Sequence, residues 1–128
     1  MKPLPLLALA LAACSTLPDT VGEAAPDGKV FFLEEINDRP VGYTASIQFL
    51  NSGRVQGSGP CNRFGAQQTA PLPWVQIENI AATKRGCAEL EVESTFFAAL
   101  ERMDFSEVGV TTLLLTNTRG ESMVFRTR

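Results

Sequence analysis

The chain has 128 residues, 45% of them hydrophobic and 20% charged, with a formal net charge of −3. That is room for one domain with a core just large enough to stand alone, and the acidic balance argues against a general nucleic-acid binder. Histidine is absent, which excludes Ser-His-Asp and Cys-His catalysis and removes the commonest zinc and iron ligand, so no metal or cofactor is expected.

The chain opens MKPLPLLALALAAC, one lysine followed by an apolar run from Leu4 to Ala13. The run is about half the ~20 residues of a membrane-spanning helix. A basic start, an apolar middle and a small-residue end make a secretory signal, and without a twin arginine the general export route is expected. The ending Leu11-Ala12-Ala13-Cys14 resembles a bacterial lipobox, which implies cleavage before Cys14 and acylation of its thiol and new amine. Several acyl chains, at ~0.8 kcal/mol per buried CH₂, hold a protein stably where one is marginal. The alternative is a plain secreted protein in which Cys14 is incidental. Ser15 follows the cysteine; by the Gram-negative sorting rule the lack of an aspartate there implies the outer membrane, facing the periplasm. Loss of residues 1–13 removes Lys2 and no acid, taking the net charge from −3 to −4. Residues 14–28, after the lipidated cysteine rich in Pro, Gly, Ala and acids, read as a flexible tether, and residues 29–128 as the domain.

Within the domain, Val30 to Ile36 is β-branched and aromatic and breaks at the turn cluster Asn37-Asp38-Arg39-Pro40. Tyr43, Ala45, Ile47 and Phe49 alternate with Thr44, Ser46 and Gln48, the pattern of a half-buried antiparallel strand. Asn51-Ser52-Gly53 predicts a hairpin turn into Arg54 to Gly57. After the glycine-rich stretch, strands are expected near Ala66 to Thr69 and through Trp74 to Ile80. A helix is predicted within Ala88 to Met103, where Val92, Phe96, Ala99, Leu100 and Met103 recur on one face. Glu89, Glu91 and Glu93 near its start read as complements to the helix dipole. Strands near Phe105 to Val108, Thr112 to Thr116 and Ser122 to Arg126 follow, with Leu113, Leu115, Met123 and Phe125 as core positions. The expected fold class is α+β, a curled and mainly antiparallel sheet of about six to eight strands around one amphipathic helix.

The stretch GSGPCNRFG, Gly57 to Gly65, raises the question of chemistry. It lacks phosphate-loop spacing and a Lys-Ser/Thr ending, and a strand-like segment follows it instead of a helix. As a nucleophile elbow it lacks the spacing, and no histidine exists to activate Ser58. Cys61 has no base, although Arg63 would lower its pKa. With Cys14 committed to lipid, Cys61 and Cys87 remain in an exported domain, where pairing is the default. Gly57, Gly59, Asn62 and Gly65 then read as structural loop positions. A bridge would also gather Arg63, Lys84 and Arg85 into a basic spot for a carboxylate, a phosphate headgroup or an acidic partner segment; the alternative is solvated charge paired with nearby glutamates.

These residues carry a family resemblance. GSGPCNRFG resembles the glycine-rich CN signature of the META domain, or HslJ-like, family, and Thr83 followed by Cys87 is similar to its second signature. Glu93, Phe97 and Leu100 match the family's helix, and Gly109, Leu113, Leu115 and Phe125 its C-terminal pattern. Phe31-Phe32 stands where the family has tryptophan, and Ala66-Gln67 where it has an aromatic residue. The resemblance covers residues 29–128. It implies one compact α+β domain with Cys61 and Cys87 paired, and it supplies no catalytic residues; members are often exported or lipid-anchored and linked with stress, drug tolerance or virulence. The expected function is a non-enzymatic envelope lipoprotein, monomeric, held to the membrane through Cys14 and binding an envelope protein or lipid in envelope maintenance or stress tolerance. Two alternatives stand beside it. One is a carrier or sensor of a small apolar ligand between sheet and helix, lined by Phe96, Leu100 and Met103. The other is a carboxylate-dependent enzyme using Asp104 and Glu107.

Overall fold

A computed structural model describes residues 1–5, 9, 10 and 16–128; the expected lipidation site Cys14 lies outside the described residues. Nine strands form one antiparallel sheet: β1 (Val30–Ile36), β2 (Arg39–Pro40), β3 (Ser46–Phe49), β4 (Arg54–Ser58), β5 (Arg63–Gln67), β6 (Glu78–Ala82), β7 (Phe105–Val108), β8 (Thr112–Thr116) and β9 (Ser122–Arg126). Their order is β6-β5-β4-β3-β1-β9-β8-β7, with β2 folded back on β1. The first long strand therefore lies beside the last, with β3, β4, β5 and β6 continuing the sheet from β1 and β8 and β7 continuing it from β9. Two α-helices accompany the sheet, α1 (Val21–Ala24) and α2 (Leu90–Arg102).

Period-two alternation sends one face of each strand inward. Phe31 and Leu33, Ile47 and Phe49, Leu113 and Leu115, and Met123 and Phe125 are all buried with Phe96, Ala99, Leu100 and Met103 of the helical segment in one core. The sheet curls. Residues leading into the edge strand β6 run along the opposite edge strand β7: the Ser106 amide donates to the Pro73 carbonyl (2.8 Å) and the Val75 amide to the Asp104 carbonyl (2.9 Å). Among the described residues no helix is long and apolar enough to cross a membrane.

Four features depart from the sequence expectation. The fifth strand begins at Arg63 instead of near Ala66, and β4 reaches Ser58, so most of the glycine-rich stretch is sheet: Gly57 pairs with Phe64 and Ser58 with Arg63. Glycine serves there as a clearance. A Cβ on Gly57 would lie 2.7 Å from the Phe64 ring and would overlap the Ser46 carbonyl oxygen, which is why a residue usually found in turns sits within a strand. The strand expected through Trp74 to Ile80 is instead β6 at Glu78–Ala82, because residues 73–75 take their bonds from the β7 side.

The buried stripe of α2 keeps Phe96, Ala99, Leu100 and Met103 as expected, but its first position differs. Val92, expected in the core, is 38% exposed, whereas Glu93 is 3% exposed. Lastly, part of the expected tether is docked. Thr20 caps α1 by accepting from the Glu23 amide (3.3 Å), Glu23 Oε2 accepts from the Asp19 amide (2.7 Å), and Val21 is fully buried. The Leu72 amide donates to the Asp19 carbonyl (2.7 Å), and Thr20 bridges to Pro71. The Thr-x-x-Glu pattern of residues 20–23 is a capping-box signal that marks this start in the sequence.

Candidate interaction site at the disulfide corner

The turn between β4 and β5 is only Gly59 to Asn62, closed by the Gly59 amide donating to the Asn62 carbonyl (2.8 Å). Cys61 in this turn is bonded to Cys87, 26 residues away, with the two Cα atoms 5.9 Å apart. With Cys61 in the bridge, no thiolate exists there to act as a nucleophile.

A buried carboxylate and a buried amide complete the corner. Glu93, in the first turns of α2, accepts from the main-chain amides of Cys61 and Asn62 on Oε2 (both 2.7 Å) and from Asn62 Nδ2 on Oε1 (2.6 Å). Asn62 Oδ1 accepts from the Arg85 amide (2.6 Å) and the Thr83 hydroxyl (2.9 Å), while Nδ2 also donates to the Arg85 carbonyl (3.2 Å). Both amide hydrogens and both carbonyl lone pairs of Asn62 are thereby used. One side chain ties the β4–β5 turn to the segment before Cys87, and Glu93 ties the turn to α2. Gly59 is required because a Cβ would come within 2.5 Å of Glu93 Oε2. Of the three glutamates read as dipole complements, Glu89 and Glu91 are exposed, whereas Glu93, which stands in the first turn of α2 as expected, is also the buried anchor of the corner.

The network fixes where the basic residues stand. Thr83 donates from its amide to the Arg63 carbonyl (3.0 Å) and accepts the Arg63 amide on its hydroxyl (3.2 Å). Asn62 holds both main-chain groups of Arg85. The main chain of Arg63 is thereby held beside Thr83 and that of Arg85 beside Asn62, Lys84 lies between Thr83 and Arg85 in the chain, and Arg63, Lys84 and Arg85 are all exposed. A shallow pocket of about 390 Å³ lies among Ser58, Cys61, Arg63, Thr83 and Arg85. The one ion pair among the described residues joins Arg102 and Glu121 (2.7 Å); no carboxylate among those residues pairs with Arg63, Lys84 or Arg85.

The other expected lining and acid–base groups stand elsewhere. Phe96, Leu100 and Met103 are at most 1% exposed and filled into the core. Asp104 and Glu107 lie exposed at β7, where Asp104 contributes its main chain to Val75 and Thr116. Among the described residues no group of three or more Cys, Asp or Glu side chains is arranged to hold a metal ion. At the far end of α2, Arg102 and Asn117 both donate to Glu121. The hydrogen bonds from Arg102 first, and then from Asn117, hold the Glu121 carboxyl below its ordinary range.

The structure is thus a small disulfide-bridged α+β domain whose distinctive feature is a cross-tied corner. The META domain family model matches residues 27–128; the chain belongs to the META domain family. Solved structures share the fold. An NMR structure of a protein from Burkholderia xenovorans is 17% identical, covers 89% of this chain and 93% of its own, and superposes with a TM-score of 0.68. A second NMR structure is 22% identical, with 77% and 87% coverage and a TM-score of 0.59. A crystal structure of a DUF4847 family protein from Bacteroides vulgatus is 20% identical, with 64% of this chain and 57% of that one covered and a TM-score of 0.54. No match is found among curated proteins.

Proposed function

We propose that the protein is a lipid-anchored envelope protein whose META domain is a non-enzymatic interaction module. It is held to the outer membrane through Cys14, as a monomer, and takes an acidic partner at the disulfide corner. The observation that carries this reading is the placement of Arg63, Lys84 and Arg85. They project from a backbone immobilised by a disulfide and by Asn62, with no internal carboxylate paired to them. Two guanidinium groups and an ammonium on a rigid support lose little main-chain entropy on binding, and guanidinium favours carboxylate or phosphate oxygens in a bidentate fork. A non-enzymatic role is supported by the occupation of every polar group inside the corner: Glu93 and Asn62 are spent on structure, and Cys61 is in the bridge.

The test is crosslinking of the anchored protein in native membranes, with and without the triple substitution Arg63→Glu, Lys84→Glu, Arg85→Glu. Loss of one or more specific adducts is the expected result. An unchanged set of adducts together with unchanged envelope phenotypes sinks the proposal.

A further inference from the structure

The docking of α1 leaves a much shorter leash than the sequence suggests. The Asp19 carbonyl accepts from the Leu72 amide and Thr20 is bridged to Pro71, so the folded domain begins at Asp19. Cys14 and Asp19 are five residue steps apart, and a chain spans at most ~3.6 Å per step, about 18 Å in all. An acyl group on Cys14, which the lipoprotein reading above supplies and on which this inference rests, therefore keeps the attachment point of the domain close to the lipid headgroups.

At that attachment point stands the single tryptophan of the chain. Pro71 opens a turn whose last residue, Trp74, donates its amide back to the Pro71 carbonyl (2.8 Å). The indole is 51% exposed and leans on the Phe105 ring, with centroids 4.9 Å apart. Leu17, on the leash itself, is 84% exposed. A tryptophan with one face on an aromatic support and the other open is the residue type that settles at the headgroup level of a bilayer, apolar body inward and N–H in the polar layer.

We infer that Trp74, supported by Phe105, is a membrane-contact point that seats the domain against a zwitterionic phospholipid surface. The ionisable residues of this stretch, Asp19, Glu23 and Asp104, are acidic, so insertion of the ring and not attraction to anionic lipid is the source of affinity. The five-residue strand β6, ~16 Å long, separates this point from Thr83 to Cys87 and so keeps the basic corner away from the seated face.

The chain is purified from bacterial membranes in detergent, its mass is measured, and it is reconstituted into phosphatidylcholine vesicles containing lipid with a nitroxide near the headgroup. Emission of the sole tryptophan should fall about twofold as the ring comes within reach of the nitroxide, with a shift to shorter wavelength as it leaves water for the headgroup layer. Insertion of a glycine–serine spacer of about 20 residues between Leu17 and Pro18, which adds a root-mean-square reach of ~25 Å, should restore most of the emission. Absence of quenching in the short-leash protein overturns the inference. Equal quenching with the spacer overturns the role of the leash. If the mass shows no lipid, the anchoring reading fails by itself; the Cys14 thiol is then coupled to a maleimide-headgroup phospholipid, and the same two quenching outcomes decide the Trp74 contact.

Discussion

Replacing Glu93 by glutamine keeps the volume of the corner and removes the charge. In the native corner, Oε2 takes two main-chain amides and Oε1 takes Asn62 Nδ2. A glutamine can place its one oxygen at the Oε2 position, keeping both main-chain bonds, now to a neutral acceptor. Its NH₂ then faces Asn62 Nδ2, donor against donor. Asn62 cannot turn over to repair the clash, since its Oδ1 already accepts from the Arg85 amide and the Thr83 hydroxyl. Bonds to a charged group are worth ~1.5–3 kcal/mol and neutral ones ~0.5–1.5, while an unmet buried donor costs ~1–3. These contributions overlap, and we expect a net loss of about 3 kcal/mol, or about 12–24 °C in Tm at ~4–8 °C per kcal/mol for a domain of this size. Urea unfolding with the disulfide intact measures it, and hydrogen exchange at the Cys61 and Asn62 amides should accelerate in parallel. A cycle with Asn62→Ala should show coupling of at least about 1 kcal/mol. A loss below about 1 kcal/mol with no coupling would mean that the carboxylate is a bystander, and the account of the corner would be wrong.

The double substitution Cys61→Ser, Cys87→Ser releases a 26-residue separation and should cost about 3.5 kcal/mol by loop entropy, with the urea midpoint insensitive to reductant. Gly57→Ala should lose about 1–3 kcal/mol or more from overpacking against Phe64 and the Ser46 carbonyl, whereas Gly86→Ala, with open space at its Cβ, should stay within about 0.5 kcal/mol; equal costs at the two sites would refute the clearance argument. Val21→Ala should cost about 2 kcal/mol for two buried methyl groups, and no change in Tm would return α1 to the tether. The Glu121 carboxyl is held low by Arg102 and Asn117, so the folded state binds fewer protons than the unfolded chain through the window below the ordinary glutamate range. Its contribution is present above that window and lost as the pH falls through the folded pKa, so Glu121→Gln should flatten part of the acid limb of a Tm-against-pH curve.

Much of the sheet is written locally. Leu113 and Leu115, and Met123 and Phe125, alternate with more exposed neighbours, and all four are fully buried in β8 and β9. The helix was legible from its period even though its stripe opens on Glu93 instead of Val92. What misled the local reading at Val92 and Glu93 was polarity: a carboxylate is an outward residue unless donors are waiting for it. Those donors belong to Cys61 and Asn62, more than 30 residues earlier, and periodicity carries no information at that range. The glycine stretch failed locally in the opposite sense. Gly57 looked like turn chemistry, but the Phe64 ring that needs its missing Cβ arrives only through the β4–β5 pairing.

The sequence by itself determined most of the strands, the main helix and the family, because these depend on spacing, periodicity and the order of motifs along the chain. Only the tertiary structure decided that Glu93 and Asn62 are the internal ties of the corner and that Arg63, Lys84 and Arg85 stand free around it. It alone moved residues 19–25 from expected tether to domain, which sets Asp19 and Thr20 beside the Pro71–Trp74 turn. The physical reason is common to all three. A buried acceptor, an unpaired charge and a docked helix are defined by what lies across the fold, and hydrogen-bond partners supplied by distant segments are not encoded in the pattern of any single one.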